Sequence, residues 1–87
     1  AESVLHQNKP NPFSDNTEIA FELIDGFNRA AIYIYNMNAI QTQKHDITKA
    51  GAGKLVVEGR SLKAGMYLYS LIVDGKEVDT MRMILTK

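Results

Sequence analysis

Hydrophobic residues recur along this chain mainly at every second position. In residues 17–23, Ile19, Phe21 and Leu23 alternate with small or charged side chains. Because successive side chains of a β-strand point to opposite faces, this period predicts a strand with one buried face. The Asp-Gly pair that follows tolerates positive φ and therefore predicts a tight turn.

Two further strands are predicted in the first half of the chain. In residues 30–35 isoleucines occupy one face and tyrosines the other, and branched and aromatic residues at this density favour a strand over a helix. Residues 40–47 alternate too, but they are mostly polar. This pattern predicts an exposed edge strand on which Gln41, Gln43 and His45 share a face.

The second half of the chain is predicted to end in a hairpin. Residues 50–53 contain only Ala and Gly, which predicts a flexible link, and residues 54–58 are expected to form a short strand. Residues 66–73 are the most apolar stretch and are expected in the middle of a sheet. A second Asp-Gly turn then leads into a last strand over residues 78–85.

These elements define the predicted fold class and domains. About seven short strands without a convincing amphipathic helix predict an all-β fold, namely a small antiparallel immunoglobulin-like β-sandwich. Residues 1–16 are polar and contain both prolines. We therefore predict an extended lead-in, or tether, over residues 1–16 and the sandwich domain over residues 17–87. Since the chain begins Ala1-Glu2-Ser3 without an initiator Met, we expect it to be part of a longer protein.

Composition narrows the classes of function. Ten Lys and Arg balance ten Asp and Glu, so the chain lacks the basic excess typical of nucleic-acid binders, and we expect no nucleic-acid partner. No apolar run approaches the roughly 20 residues that span a bilayer. The absence of cysteine removes disulfides, thiolate nucleophiles and sulfur-ligated metals.

Residues that could support catalysis or bind a metal are scattered. His6 and His45 have no carboxylate or second ligand placed with them on the same predicted face. No serine has the surroundings of a nucleophile elbow, and no loop is acidic enough for calcium. We therefore predict no catalytic residue, no metal site, no cofactor and a protein that is not an enzyme.

Four tyrosines leave a choice between two interpretations. They form the pairs Tyr33 and Tyr35, and Tyr67 and Tyr69, each at positions i and i+2 of a predicted strand. Packing in the sandwich core is the favoured interpretation. The alternative is an exposed aromatic platform for sugars, which would make the chain a carbohydrate-binding or adhesive β-sandwich module. A purely structural spacer is the third function considered.

Several strings, in the same order, resemble those of a known family. The lead-in Leu5-His6-Gln7-Asn8-Lys9-Pro10-Asn11-Pro12-Phe13, followed by Thr17 and Ile19, is similar to L-x-Q-N-x-P-N-P-F…T-x-I. Residues 30–36, 62–69, 74–76 and 81–87 resemble the family's l-x-I-Y-D, L-x-x-G-x-Y-x-Y, D-G-K and k-x-x-i-x-K segments. The family is the type A C-terminal sorting domains of the type IX secretion system of Bacteroidetes.

Two departures from the family pattern fall in one turn. Asn36 replaces the usual Asp, and Asn38-Ala39 stands where the family has a glycine. Asn tolerates positive φ, so we expect Asn38 to preserve the turn.

The resemblance implies a secretion signal that is recognised and does no chemistry. It would direct an N-terminally fused cargo across the outer membrane by the type IX system. A sortase-like peptidase would then remove it by cutting in or before the lead-in, near residues 1–5. The positions that match the family's motifs, and are therefore implied in recognition by the secretion machinery, are Pro10, Asn11, Pro12, Phe13, Gly65, Tyr67, Tyr69, Ile84, Leu85 and Lys87.

The same resemblance implies partners and a location. The partners would be the secretion machinery, the sortase-like signal peptidase and the cargo. The location would be secreted or at the cell surface, reached through the periplasm and outer membrane of a Gram-negative bacterium. Exposed apolar strand surface would also allow a homodimer.

Overall fold

The structure, a computed structural model that describes residues 2–87, is a sandwich of two antiparallel sheets. Its strands are β1 (Val4–Leu5), β2 (Asn16–Leu23), β3 (Ala30–Asn36), β4 (Gln41–Ile47), β5 (Gly51–Glu58), β6 (Gly65–Val73) and β7 (Lys76–Leu85). One sheet has the order β1-β2-β5 and the other the order β4-β3-β6-β7. The predicted small all-β sandwich is therefore confirmed. Within residues 2–87, no helix is long and apolar enough to cross a membrane.

The core follows from the period of two. Along β2 the residues predicted to face inward are buried, and the residues between them are exposed or half-buried. β6 lies inside the four-stranded sheet, as predicted, and contains Tyr69, the largest of the fully buried side chains. Ile19, Ile32 and Leu71 come from both sheets and are all completely inaccessible to solvent. Burial of each such side chain stabilises the fold by about 1.5–3 kcal/mol.

The flexible link predicted over residues 50–53 is wrong. Gly51 begins β5, and Gly53 lies directly opposite Phe21 of β2. A Cβ built on Gly53 would stand 2.7 Å from the Phe21 ring. The glycine is therefore a strand residue whose missing side chain makes room for a cross-strand aromatic ring.

The predicted polar edge strand is confirmed as β4, with one correction. A register shift after Ile34 places Gln41 opposite Tyr35, while Gln43 remains opposite Ile34. Because directly opposed residues point to the same face, Gln41 does not share a face with Gln43 and His45.

The turn between β3 and β4 also differs from expectation. The residue with positive φ is Ala39, at 62°, and not Asn38. The Oδ1 of Asn36 accepts hydrogen bonds from the N–H groups of Asn38 and Ile40, at 2.9 and 3.1 Å. The Asn36 side chain therefore organises the turn, and Ala39 takes the left-handed conformation that glycine would adopt more easily.

The lead-in packs along the sandwich. β1 pairs with β2, Lys9 forms a bridge with Glu18, and Phe13 forms a parallel bridge with Leu85 of β7. Both peptide bonds that precede proline in this segment are cis. The lead-in therefore touches both sheets and covers the side of the sandwich on which β7 lies.

Candidate functional site

The C-terminal part of the outer edge of β7 is covered by the lead-in. An edge strand presents N–H and C=O groups that need partners, and the lead-in supplies such partners here. We call this arrangement the clasp, which is formed by residues 5–13 and residues 82–87. It is the region in which the family-like motifs at the two ends of the chain meet.

Backbone and side-chain hydrogen bonds connect the two halves of the clasp. The N–H of Phe13 donates to the carbonyl of Ile84 at 2.9 Å, and the N–H of Thr86 donates to the carbonyl of Phe13 at 2.8 Å. The N–H of Ile84 donates to Oδ1 of Asn11 at 2.9 Å. The side chain of Phe13 is 2% exposed, so it anchors the lead-in within the core as well as at the edge.

A buried tyrosine holds the middle of the lead-in. The hydroxyl of Tyr69 accepts a hydrogen bond from the N–H of Asn8 and donates one to the carbonyl of His6, both at 2.8 Å. Burial raises the pKa of Tyr69 to about 12, although the hydrogen bond from Asn8 acts in the opposite direction. Tyr69 is therefore neutral at physiological pH and can make both bonds.

Asn8 satisfies a second set of polar groups beneath the prolines. Its Nδ2 donates to Oγ1 of Thr17 at 3.0 Å and to the carbonyl of Pro10 at 3.2 Å. The hydroxyl of Thr17 also donates to the carbonyl of Pro10, at 2.8 Å. Asn8 and Thr17 are both 1% exposed, and these bonds offset the cost of burying them.

The last residues of the chain are fixed at the same end of the sandwich. The Nζ of Lys87 donates to the carbonyl of Leu62 at 2.5 Å. Gly65, with φ of 150°, pairs with Leu85 in the sheet. Tyr67 pairs with the buried Met83, which lies within the clasp.

Every residue predicted to take part in recognition belongs to the clasp, pairs with one of its strand residues, or bonds to one of its residues. They differ in accessibility. Phe13, Tyr67, Tyr69 and Leu85 are buried, Ile84 is half-buried, and Pro10, Asn11, Pro12, Gly65 and Lys87 are exposed. A partner of the folded domain could contact only the exposed residues of this set and the accessible part of Ile84. The buried members hold the exposed ones in place.

Sequence reasoning missed three residues that build the clasp. Asn8 is a polar residue inside the fold, and hydrophobic periodicity gives no sign of it. Thr17 shares the alternating inward face of Ile19 and Phe21, but that pattern assigns it no role in the clasp. Gly59 is the third, since a Cβ at this position would stand 2.5 Å from the carbonyl oxygen of Asp15 and 3.1 Å from the side chain of Leu85. The family-like motif of the lead-in contains both Asn8 and Thr17 and was the signal that could have identified them.

The two tyrosine pairs differ in where they lie in the sandwich. The core interpretation is confirmed for Tyr67 and Tyr69 and wrong for Tyr33 and Tyr35, which are half-buried on the outer face of the four-stranded sheet. The rings of Tyr33 and Tyr35 lie 6.2 Å apart between centroids, with planes 12° from parallel. Their partial exposure leaves the aromatic-platform interpretation open.

The side chains of the two histidines take no part in the hydrogen-bond network of the clasp. The Nε2 of His6 is 3.2 Å from Oε2 of Glu22, and that of His45 is 2.7 Å from Oε1 of Gln43. Over residues 2–87, no group of three or more potential ligands is placed to hold a metal ion.

Fold and clasp together define a small β-sandwich domain whose motif residues gather on one side. Over residues 10–86 the chain matches the family described as secretion system C-terminal sorting domain, and it belongs to this family of type IX sorting domains. No curated protein matches it. The family is one of sorting signals and is not known for catalysis.

Membership has consequences for partners and location. It implies an interaction with the type IX secretion machinery and an N-terminal cargo, and a protein that is secreted or displayed at the cell surface after crossing the outer membrane. The peptidase, the periplasmic route and the homodimer stay predictions.

Proposed function

We propose that this domain is the export signal of an N-terminally attached cargo and that the secretion machinery recognises it at the clasp. The cargo and the domain pass through the periplasm together and cross the outer membrane, after which a sortase-like signal peptidase removes the domain. The observation that carries the proposal is the meeting of the two motif-bearing ends of the chain at one edge.

Recognition of a folded surface is favoured by how the exposed residues are held. Pro10, Asn11 and Pro12 are brought beside Ile84 through the bond from its N–H to Asn11, and Lys87 is anchored on Leu62. In an unfolded chain the two groups are separated by about seventy residues and form no common surface. The signal is therefore a property of the folded domain.

The pairing of β1 supports a cleavage site that precedes this strand. Val4 and Leu5 pair with β2, and the N–H of Ile24 donates to Oγ of Ser3 at 3.2 Å. Proteases cut exposed, flexible backbone, and the backbone of Val4 and Leu5 is held in a sheet, so we expect no cleavage within β1. Mass spectrometry of the domain released by the native peptidase tests this. A released fragment that begins beyond Leu5 would contradict it.

The export test requires variants that leave the core intact. Truncation after Arg82 is unsuitable, because it removes Met83 and Leu85, which are 0% and 1% exposed. The better variant is Lys87→Glu, which reverses the charge of an exposed residue of the clasp. Its matched control is Lys49→Glu, which makes the same change at an exposed residue between β4 and β5.

The assay fuses residues 1–87 to a fluorescent protein that is exported to the periplasm of a type IX-competent bacterium. We expect release of the unchanged fusion and of Lys49→Glu, and retention of a folded Lys87→Glu. Equal release of both variants would contradict recognition at the clasp. Retention of the unchanged, folded fusion would contradict the proposed export function itself.

A further inference from the structure

A depression on the outer face of the four-stranded sheet is independent of the clasp. It encloses about 500 Å³ and is open to solvent. Ala31 of β3 forms its floor, because the register places this residue between Asp46 of β4 and Ile72 of β6. The methyl group of Ala31 is too short to fill the space between its longer neighbours, so a concave site results.

One wall of the depression is aromatic. Tyr33 lines it, two residues along β3 from Ala31 and on the same face. Tyr35 stacks against Tyr33 from the other direction, with ring planes 12° from parallel. This stacking restricts the ring of Tyr33, and a ligand that packs on the ring would take the place of the Lys44 Nζ that lies over it.

The rim contains both cationic and anionic side chains. The Nζ of Lys44 lies 3.5 Å from Oδ1 of Asp46 and 5.7 Å from the centroid of Tyr33. Arg29 and Asp74 complete the rim on the other side. A ligand within the depression would therefore meet hydrogen-bond donors and acceptors together.

The far side of the rim is fixed before any ligand arrives. Oδ1 of Asp74 accepts hydrogen bonds from the N–H groups of Asn28 and Arg29, at 2.9 and 2.8 Å. The N–H of Asp74 donates to the carbonyl of Arg29 at 2.8 Å. These three bonds join the loop before β3 to the hairpin between β6 and β7, so binding requires little reorganisation.

We infer that this depression binds a pyranose ring of a glycan. The C–H face of a pyranose packs on an aromatic ring such as Tyr33, and its hydroxyl groups both donate and accept hydrogen bonds. The mixed rim matches those hydroxyls. Asp46 and Asp74 disfavour an anionic ligand, whereas Lys44 and Arg29 disfavour a cationic one. The inference does not rest on the export function, because no residue of the clasp takes part.

Titration of the ¹⁵N-labelled chain, followed by NMR, tests the inference. The probes are cellotriose, mannotriose and galactotriose, with the open-chain polyol sorbitol as the control. We expect at least one trisaccharide to shift the amide signals of Ala31, Tyr33 and Asp46 with saturation at millimolar concentration, as is typical of one shallow site. Sorbitol should shift none of them. Absence of saturable shifts with all three trisaccharides, or equal shifts with sorbitol, overturns the inference.

Variants locate the binding. Ala31→Leu should fill the depression and abolish the shifts, and Ala20→Leu is its matched control on the outer face of the three-stranded sheet. Asp46→Asn keeps the shape of an exposed residue and should weaken binding about fivefold, because a charged hydrogen-bond acceptor is replaced by a neutral amide. It also serves if Ala31→Leu does not fold. Unchanged affinity in both Ala31→Leu and Asp46→Asn would contradict this site.

Discussion

An exposed sheet edge can pair with a further strand, and the two long sides of the sandwich prevent this in different ways. On the clasped side, the lead-in lies along β7 and bonds to its backbone. On the open side, β4 and β5 form the free edges of the two sheets and carry Lys44 and Lys54, which discourage the addition of a further strand. A charged edge needs only local sequence, whereas a covered edge requires two distant segments to meet. The clasped side should therefore be the more sensitive to substitution.

The largest expected effect is that of Phe13→Ala. Phe13 is almost completely buried, and its backbone bonds to Ile84 and Thr86. Its removal should lower the free energy of unfolding by about 3–5 kcal/mol, the usual cost of deleting a buried aromatic ring. Urea unfolding followed by circular dichroism measures this. Val56→Ala, at an exposed residue of β5, should cost far less. A loss below about 1 kcal/mol for Phe13→Ala would mean that the lead-in is not part of the core.

Two glycine substitutions compare the sides directly. Gly59→Ala places a Cβ against the backbone carbonyl of Asp15, which cannot move without disturbing the clasp. Gly53→Ala, near the open side, places a Cβ against Cε1 and Cζ of Phe21, which are the far end of a side chain and yield more easily than backbone. We expect losses of about 3 and about 1 kcal/mol, respectively, from overpacking. Chemical denaturation measures both, and the reverse order would contradict the comparison.

Tyr69→Phe tests the hydrogen bonds at the centre of the clasp. Without the hydroxyl, the N–H of Asn8 and the carbonyl of His6 lose their buried partner, and the free energy of unfolding should fall by about 2 kcal/mol. The measurement is urea unfolding at neutral pH. Tyr67→Phe, at a neighbouring buried tyrosine, is the control for loss of a hydroxyl that lies outside the lead-in contacts.

The same residue gives a dependence on pH. The pKa of Tyr69 is raised to about 12 in the folded domain, above the value near 10 of an unfolded chain. Above pH 10 the unfolded state therefore loses its proton first, and stability that is complete below about pH 10 falls as the pH rises towards about 12. Tyr69→Phe should show a shallower decline over this range. An identical decline in both proteins would contradict a buried, neutral Tyr69.

The smallest expected effect is a gain in stability at the turn beside β4. Ala39 has a φ of 62°, a conformation that costs an L-residue about 1–2 kcal/mol. Ala39→Gly should remove this cost but increase the freedom of the unfolded chain, so the net gain should be about 0.5 kcal/mol. A thermal unfolding curve measures it. A loss of stability would mean that Ala39 makes contacts that offset its conformation.

Local patterns predicted most strands because a strand's period of two is present in its own residues. The beginning of β5 could not be predicted in this way. Gly53 belongs to the strand only because Phe21, which is far away in the chain, uses the space above it. The turn at Ala39 was mispredicted for a related reason. The preference of Asn38 for positive φ was outweighed by the hydrogen bonds that the N–H groups of Asn38 and Ile40 donate to Asn36.

The motifs named the residues of the clasp without indicating how they work. Periodicity could not show that Phe13 pairs with Leu85, since that contact depends on the whole fold between them. It could not separate Tyr33 from Tyr69 either, because each belongs to a pair of tyrosines two positions apart in a largely apolar stretch. Only the strand order places one tyrosine on an outer face and the other in the core.

Native-state hydrogen exchange tests the central claim most directly, because it compares the lead-in with the core in one experiment. If the clasp is part of the cooperative fold, the amides of Phe13 and Thr86 should open with the same free energy as that of Ile32 in β3. The account predicts this common value. Exchange of Phe13 and Thr86 at a much lower free energy than Ile32 would show a lead-in that detaches by itself, and would contradict the account.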